Sequence, residues 1–149
     1  MDLVGRKLGK DGGRAIRAYF DAVGHDVAEA RASGDPAGIA DELEKALQHL
    51  QSATTWMAQN GMTDPNNAGA GAYAYMQLMG LVSLGWMWLK MAGASAKLKG
   101  QPGEDEAFHD AKLLTASFFA ERELVTAGAL RRKVEAGANS VMALPIEAF

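Results

Sequence analysis

From Asn66 to Leu89 the chain carries no formal charge, and residues 72–91, AYAYMQLMGLVSLGWMWLKM, pack aromatics, leucines and methionines almost without relief. Such a run can span a membrane, line a cofactor pocket or sit at the centre of a helical core. A span needs about 20 predominantly apolar residues, so length alone permits one. Against it stand Gln77, Ser83, glycines at 69, 71, 80 and 85, and the lack of any neighbouring span.

The rest of the chain decides. Alanine, leucine, methionine, glutamate and lysine recur at helical spacing, and no sustained alternation of β-branched residues is found, which predicts an all-α fold. A first helix is predicted from about 13 to 31, with Ile16, Tyr19, Phe20, Val23, Val27 and Ala30 on one stripe. Asp35-Pro36 reads as an N-cap followed by proline at the first helical position. The second helix then carries Ile39, Leu43, Ala46, Leu47, Leu50, Ala53, Thr54 and Met57 inward, and stops at Asn60-Gly61.

Asp64-Pro65 repeats the start signal ahead of a glycine-rich segment, NNAGAGA, and the third helix runs on to Lys97 and Lys99 before Gly100, Pro102 and Gly103. A fourth follows Glu104, Asp105 and Glu106, with Phe108, Ala111, Leu114, Phe118, Val125 and Ala129 as its stripe, and reaches Ala136. Three amphipathic stripes need a common apolar partner, and the third helix supplies it. At 100° per residue Trp86 lies with Tyr75, Met79 and Val82, while Trp88 lies almost opposite with Leu81 and Leu84, so this helix is predicted in the middle of the bundle. The architecture read here is a four-helix bundle with a short C-terminal tail, 138–149, packed back through Val141, Met142, Leu144, Ile146 and Phe149.

Composition narrows the function classes. The 149 residues suit one domain, with 48% hydrophobic residues, 22% charged residues and a net charge of -3. Nucleic acid would need a concentrated basic patch, and Arg6, Lys7, Lys10, Arg14, Arg17 and the 131–133 cluster are too interspersed with acids to form one. The absence of cysteine excludes a disulfide framework, a thiolate metal site and a cysteine nucleophile. It also suits a reducing cytoplasm, and MDLVGRKLGK lacks the apolar core of a signal peptide.

Residues that could carry chemistry are few. His25, His49 and His109 fall on three different helices, and Glu106 and His109 form the E-x-x-H pair of di-iron bundles. That class needs two such pairs and two further glutamates, and Glu106 has a simpler role at a helix N-terminus. His25, beside Asp26 and one turn after Asp21, reads as a surface histidine. Arg122, between Glu121 and Glu123, falls near the apolar side of the fourth helix as a ligand-binding arginine or as half of an ion pair across the bundle. No catalytic set, cofactor fingerprint or metal site is assigned from these residues.

Taken together, DLVGRKL (2–8), DGGRA (11–15), NAGAGAYAYMQLMGLVSLGWMW (67–88), AKLLTASFFAE (111–121) and ANSVMALPIEAF (138–149) resemble the extra C-terminal helical domain of one branch of the acyl-CoA dehydrogenases, the branch that includes the methylmercaptopropionyl-CoA dehydrogenase type. The resemblance implies an upstream FAD-binding core whose glutamate abstracts the α-proton of an acyl-CoA while the β-hydride passes to flavin. It implies that residues 1–10 are the remnant of the last core helix and that 11–149 form the appended bundle, with no catalytic, cofactor-binding or metal residue in this chain. The expected role is structural, against the core and within a homo-oligomer. A free-standing helical interaction module, or a small metal-binding bundle, are the competing readings.

Overall fold

Asp11, Gly12 and Gly13 all take positive φ, which stops the short π-helical turn Leu3–Lys7 from running into the first long helix. The computed structural model describes residues 2–148, so Met1 and Phe149, which were assigned to the core remnant and the tail, lie outside the described residues. Five α-helices follow one another: α1 (Arg14–Ala32), α2 (Ala40–Trp56), α3 (Pro65–Leu98), α4 (Glu106–Phe118) and α5 (Ala127–Glu135). No strand occurs among the described residues.

The aspartate start acts at α3 as expected and is displaced before α2. At α3 the Asp64 carboxylate accepts the Asn66 N–H at 2.9 Å and Pro65 is the first helical residue. The helix then runs unbroken for 34 residues through the glycine-rich start, about 51 Å at the usual rise. Before α2, Asp35 adopts φ 38° and the helix begins only at Ala40. Its carboxylate still serves the helix, accepting from Ile39 N at 3.1 Å and Ala40 N at 2.9 Å, but across a turn carrying left-handed Gly34 and Gly38.

The predicted fourth helix is two. A π-helical turn, Phe119–Glu123, and a 3₁₀ turn, Leu124–Thr126, separate α4 from α5. On α4 His109 and Ala116 face inward, and the residue inserted in the π-helical turn rotates the chain after it so that Leu124, Ala127 and Val134 continue that buried face from Ala120. This overturns the predicted stripe: Phe108, Leu114, Phe118 and Val125 are 53–73% exposed, and Ala111 and Ala129 face out with them. Small side chains let α4 lie close to α3, so alanines are buried and phenylalanines are not.

Helix α3 touches every other helix. Its inner edge, Tyr75, Leu78, Val82 and Leu89, meets Leu43, Leu47 and Leu50 of α2, Val23 and Val27 of α1, and Leu124. Gly71 and Gly85 let it approach closely: a Cβ at Gly85 would meet Leu124 and Leu43 side chains at 2.8 and 3.1 Å, and one at Gly71 would run into Met57 and the Val134 backbone. Yet α3 is not enclosed on all sides as predicted, because its outer edge is open. No helix among the described residues is long and apolar enough to cross a membrane.

The tail also departs from expectation. Ala138 is buried and its N–H reaches Asn67 Oδ1 at 2.9 Å, but Val141, Met142, Leu144 and Ile146 are 61–86% exposed and do not pack on the bundle. Apolar composition indicated burial, but composition does not place a segment against the core, and only Ala138 is held there.

Candidate functional site

The outer edge of α3 is the most unusual surface of the molecule. Tyr73, Gln77, Gly80, Leu84, Met87, Met91, Ala94 and Leu98 are all exposed, and they follow one another at steps of four and three. That 3.5-residue period is the seam of a coiled coil. The seam contains no charge over its whole length.

A second outward strip runs along α4 and on to α5 through Phe108, Ala111, Leu114, Phe118, Val125 and Ala129. A shallow groove joins the two, lined by Gln77, Gly80, Leu81 and Leu84 on α3 and by Thr126, Ala129, Leu130 and the cationic Lys133 opposite. Lys112 spans the α3–α4 junction with its ammonium over the rings of Trp88 and Phe108 at 5.6 and 5.3 Å. Contiguous apolar surface of this kind marks a contact with another body, since isolated exposed apolar residues are common but aligned strips are not.

On the other flank, α1 is latched to α3 by polar and aromatic contacts. Tyr19 meets Trp86 edge to face at 5.8 Å and shares a hydrogen bond with Ser83 at 2.9 Å. The Trp86 indole N–H and the Lys90 ammonium both donate to Asp26 Oδ2, at 2.7 and 2.8 Å. These donors, Lys90 first, hold the Asp26 carboxyl below the usual carboxylate range despite some burial.

A depressed folded value means that Asp26 contributes stability above the unfolded pKa, and that the contribution fades as pH falls through the lower folded one. Asp26→Asn is therefore expected to cost about 1 kcal/mol near pH 6, a figure kept small because Lys90 is largely in water. The gap between the two proteins in urea denaturation should close below pH 4. A gap unchanged down to pH 2.5 would show that the charge on Asp26 contributes nothing.

Beside the latch lies a cleft of about 510 Å³ between α1 and α3, walled by Asp26, Glu29 and Asp35 against Lys90 and Lys97. Three carboxylates make it a poor receptor for the diphosphate of FAD. No glycine-rich phosphate loop lines it either.

The histidines are not gathered into a site. Among the described residues, only His25, Asp26 and Glu29 bring three possible metal-ligating groups within 4.8 Å, all from one exposed face of α1, and Asp26 is already engaged. His109 is buried, but its Nε2 meets Glu104 Oε2 at 2.9 Å, so the E-x-x-H pair with Glu106 is not formed. His49 packs against Gly128, and burial followed by the nearby Arg131 charge lowers its pKa. Arg122 does not lie near the buried side: it is exposed in the π-helical turn and makes no ion pair among the described residues. The basic residues are dispersed as read, with Arg6 and Lys7 on Asp2, Arg14 on Asp11 and Arg131 on Glu135.

Residues 16–145 match the family described as acetyl-CoA dehydrogenase C-terminal like. The chain belongs to that family. Within it, the chain is 30% identical over 142 residues to the 3-methylmercaptopropionyl-CoA dehydrogenase of Ruegeria pomeroyi, an alignment covering 95% of this chain and 24% of that protein. It is 25% identical over 157 residues to the broad-specificity linear acyl-CoA dehydrogenase FadE5 of Mycobacterium tuberculosis, covering 100% of this chain and 26% of that protein. The chain spans about a quarter of the length of these relatives. For an acetyl-CoA dehydrogenase C-terminal-like domain, two apolar strips facing outward are the feature to explain.

Proposed function

We propose that this chain is the accessory C-terminal domain of a FAD-dependent acyl-CoA dehydrogenase, holding the protein together and performing no chemistry of its own. The α,β-dehydrogenation of an acyl-CoA thioester, and FAD itself, belong to the part of such a protein that this chain does not represent. One observation carries the reading: a family match over residues 16–145 corresponds to only about a quarter of each relative, in a domain whose large apolar side chains on α4 point outward.

The left-handed break at Asp11–Gly13 supports a boundary near residue 11 between a core remnant and the appended bundle. Leu3, Val4 and Leu8 pack against the bundle, which suits a tether from a core lying against it. Partners are then the upstream core and further copies of the chain. A cytoplasmic location fits the absence of cysteine.

Purified alone, the chain is expected to be strongly helical by circular dichroism, colourless, and inactive toward acyl-CoA thioesters supplied with FAD and an artificial electron acceptor. A yellow preparation that dehydrogenates acyl-CoA overturns the proposal.

A further inference from the structure

The seam on α3 is not merely apolar; it is built to match itself. We propose that it pairs antiparallel with the seam of a second copy of this chain, about a two-fold axis passing between Leu84 and Met87. The proposal rests on the oligomer-stabilising role given above and names the surface that performs it.

Reversing the helix about that point sets Leu84 opposite Met87, Gly80 opposite Met91, Gln77 opposite Ala94 and Tyr73 opposite Leu98. Small residues thus face large ones, and every seam position finds a partner. A parallel arrangement would set Gly80 on Gly80 and Tyr73 on Tyr73, leaving a gap at one level and a clash at another. An isologous contact requires such a palindrome of sizes, whereas a contact with an unrelated surface gives no reason for one.

Charge agrees with this. No charged side chain lies in the seam itself; of its neighbours, Lys90 is drawn toward α1 by Asp26 at 2.8 Å, and Lys133 lies on α5 across the adjoining groove. The two copies therefore bring no like charges together at the centre, where an unpaired charge would be costly.

Area agrees as well. A seam from Tyr73 to Leu98 is about 38 Å long, and at a helix-contact width of about 10 Å it covers roughly 400 Å². A two-fold axis perpendicular to α3 keeps α4 of both copies on the same flank. The Phe118, Val125 and Ala129 strip, joined to the seam by the shallow groove, then extends the contact toward the roughly 800 Å² per partner of a stable complex.

The chain contains no cysteine, so single cysteines report the pairing cleanly. Sedimentation equilibrium should give twice the chain mass, and Met87→Glu, which places a charge in the seam twice, should weaken the dimer on the order of 100-fold. Gln77→Cys and Ala94→Cys chains, mixed and gently oxidised, should give a disulfide-linked dimer. Neither should do so alone, since each cysteine is then about 25 Å along the helix from its own copy.

Disulfides formed by either variant alone would indicate parallel pairing and overturn the proposal. A chain that stays monomeric and gives no mixed disulfide overturns it too, while leaving the accessory-domain reading intact. FAD binding and acyl-CoA oxidation by a chain that does form the mixed disulfide would reject the accessory reading and keep the pairing. The disulfide test holds even if Met87→Glu fails to fold.

Discussion

Tyr75→Ala is expected to remove about 4 kcal/mol of stability, within the 3–5 kcal/mol typical of deleting a large buried aromatic. Tyr75 is fully buried on the inner edge of α3. Its hydroxyl lies 2.7 Å from Thr54 Oγ1, and the Thr54 hydroxyl donates to the Leu50 carbonyl at 2.8 Å, so Tyr75 is the donor in the first bond. The substitution therefore opens a cavity between α2 and α3 and strips Thr54 of its donor. With total stabilities of about 5–15 kcal/mol for ordinary domains, much of the folded population is at stake.

Tyr75→Phe should cost only about 1 kcal/mol, the value of the hydrogen bond alone. Burial also pushes the Tyr75 hydroxyl up to about 12. Its contribution is thus complete below the unfolded value near 10 and is lost as pH rises through 12. Urea denaturation of the three proteins at pH 7 and pH 10.5 tests both statements. A loss below 1 kcal/mol for Tyr75→Ala would mean that α2 and α3 are not packed about this ring.

Gly85→Leu should cost about 3 kcal/mol, at the upper end of ordinary overpacking. Two effects oppose each other. Any residue but proline gains up to about 1 kcal/mol of helix propensity over glycine in mid-helix. But even a Cβ at Gly85 would stand 2.8 Å from Leu124 and 3.1 Å from Leu43, two side chains with no exposed space to retreat into. Gly24 on α1 has nothing within 4 Å of the equivalent position, so there propensity acts unopposed. Gly24→Ala is expected to stabilise by about 0.5–1 kcal/mol. Thermal melts of both variants decide the matter, and a Gly85→Leu protein as stable as the parent would refute close packing at that crossing.

The two glycines look alike in the sequence and differ only in what lies across from them. The same limit runs through the other departures. On the fourth predicted helix, periodicity marked an apolar face through Phe108, Leu114 and Phe118, but a face is only a direction. The alternative face of Ala116 and Ala120 became the buried one because small residues allow α4 to approach α3. A single inserted residue in the π-helical turn then carried Leu124 inward and left Arg122 in water.

The seam on α3 was hidden differently. Its 4-3 spacing is present in the letters, but the helix is apolar nearly all round, and an apolar residue on every side blurs any single stripe. Only the placement of α1 on one flank and of α4 and α5 on the other left one edge uncovered. Asp35 shows the converse: its capping chemistry was legible, while the left-handed backbone that delays α2 to Ala40 depends on how the α1–α2 turn is closed.

By itself the sequence determined the all-α class, the rough placement of the apolar segments, the aspartate start of α3, and the family. These are local: they depend on propensity, capping and periodicity within a few turns of chain. The tertiary structure alone decided which apolar residues are core and which form the outer seam, that the tail beyond Ala138 lies exposed, and that buried His109 turns to Glu104. Those outcomes depend on which helices compete for the same neighbour, and that competition is settled only when all five are packed.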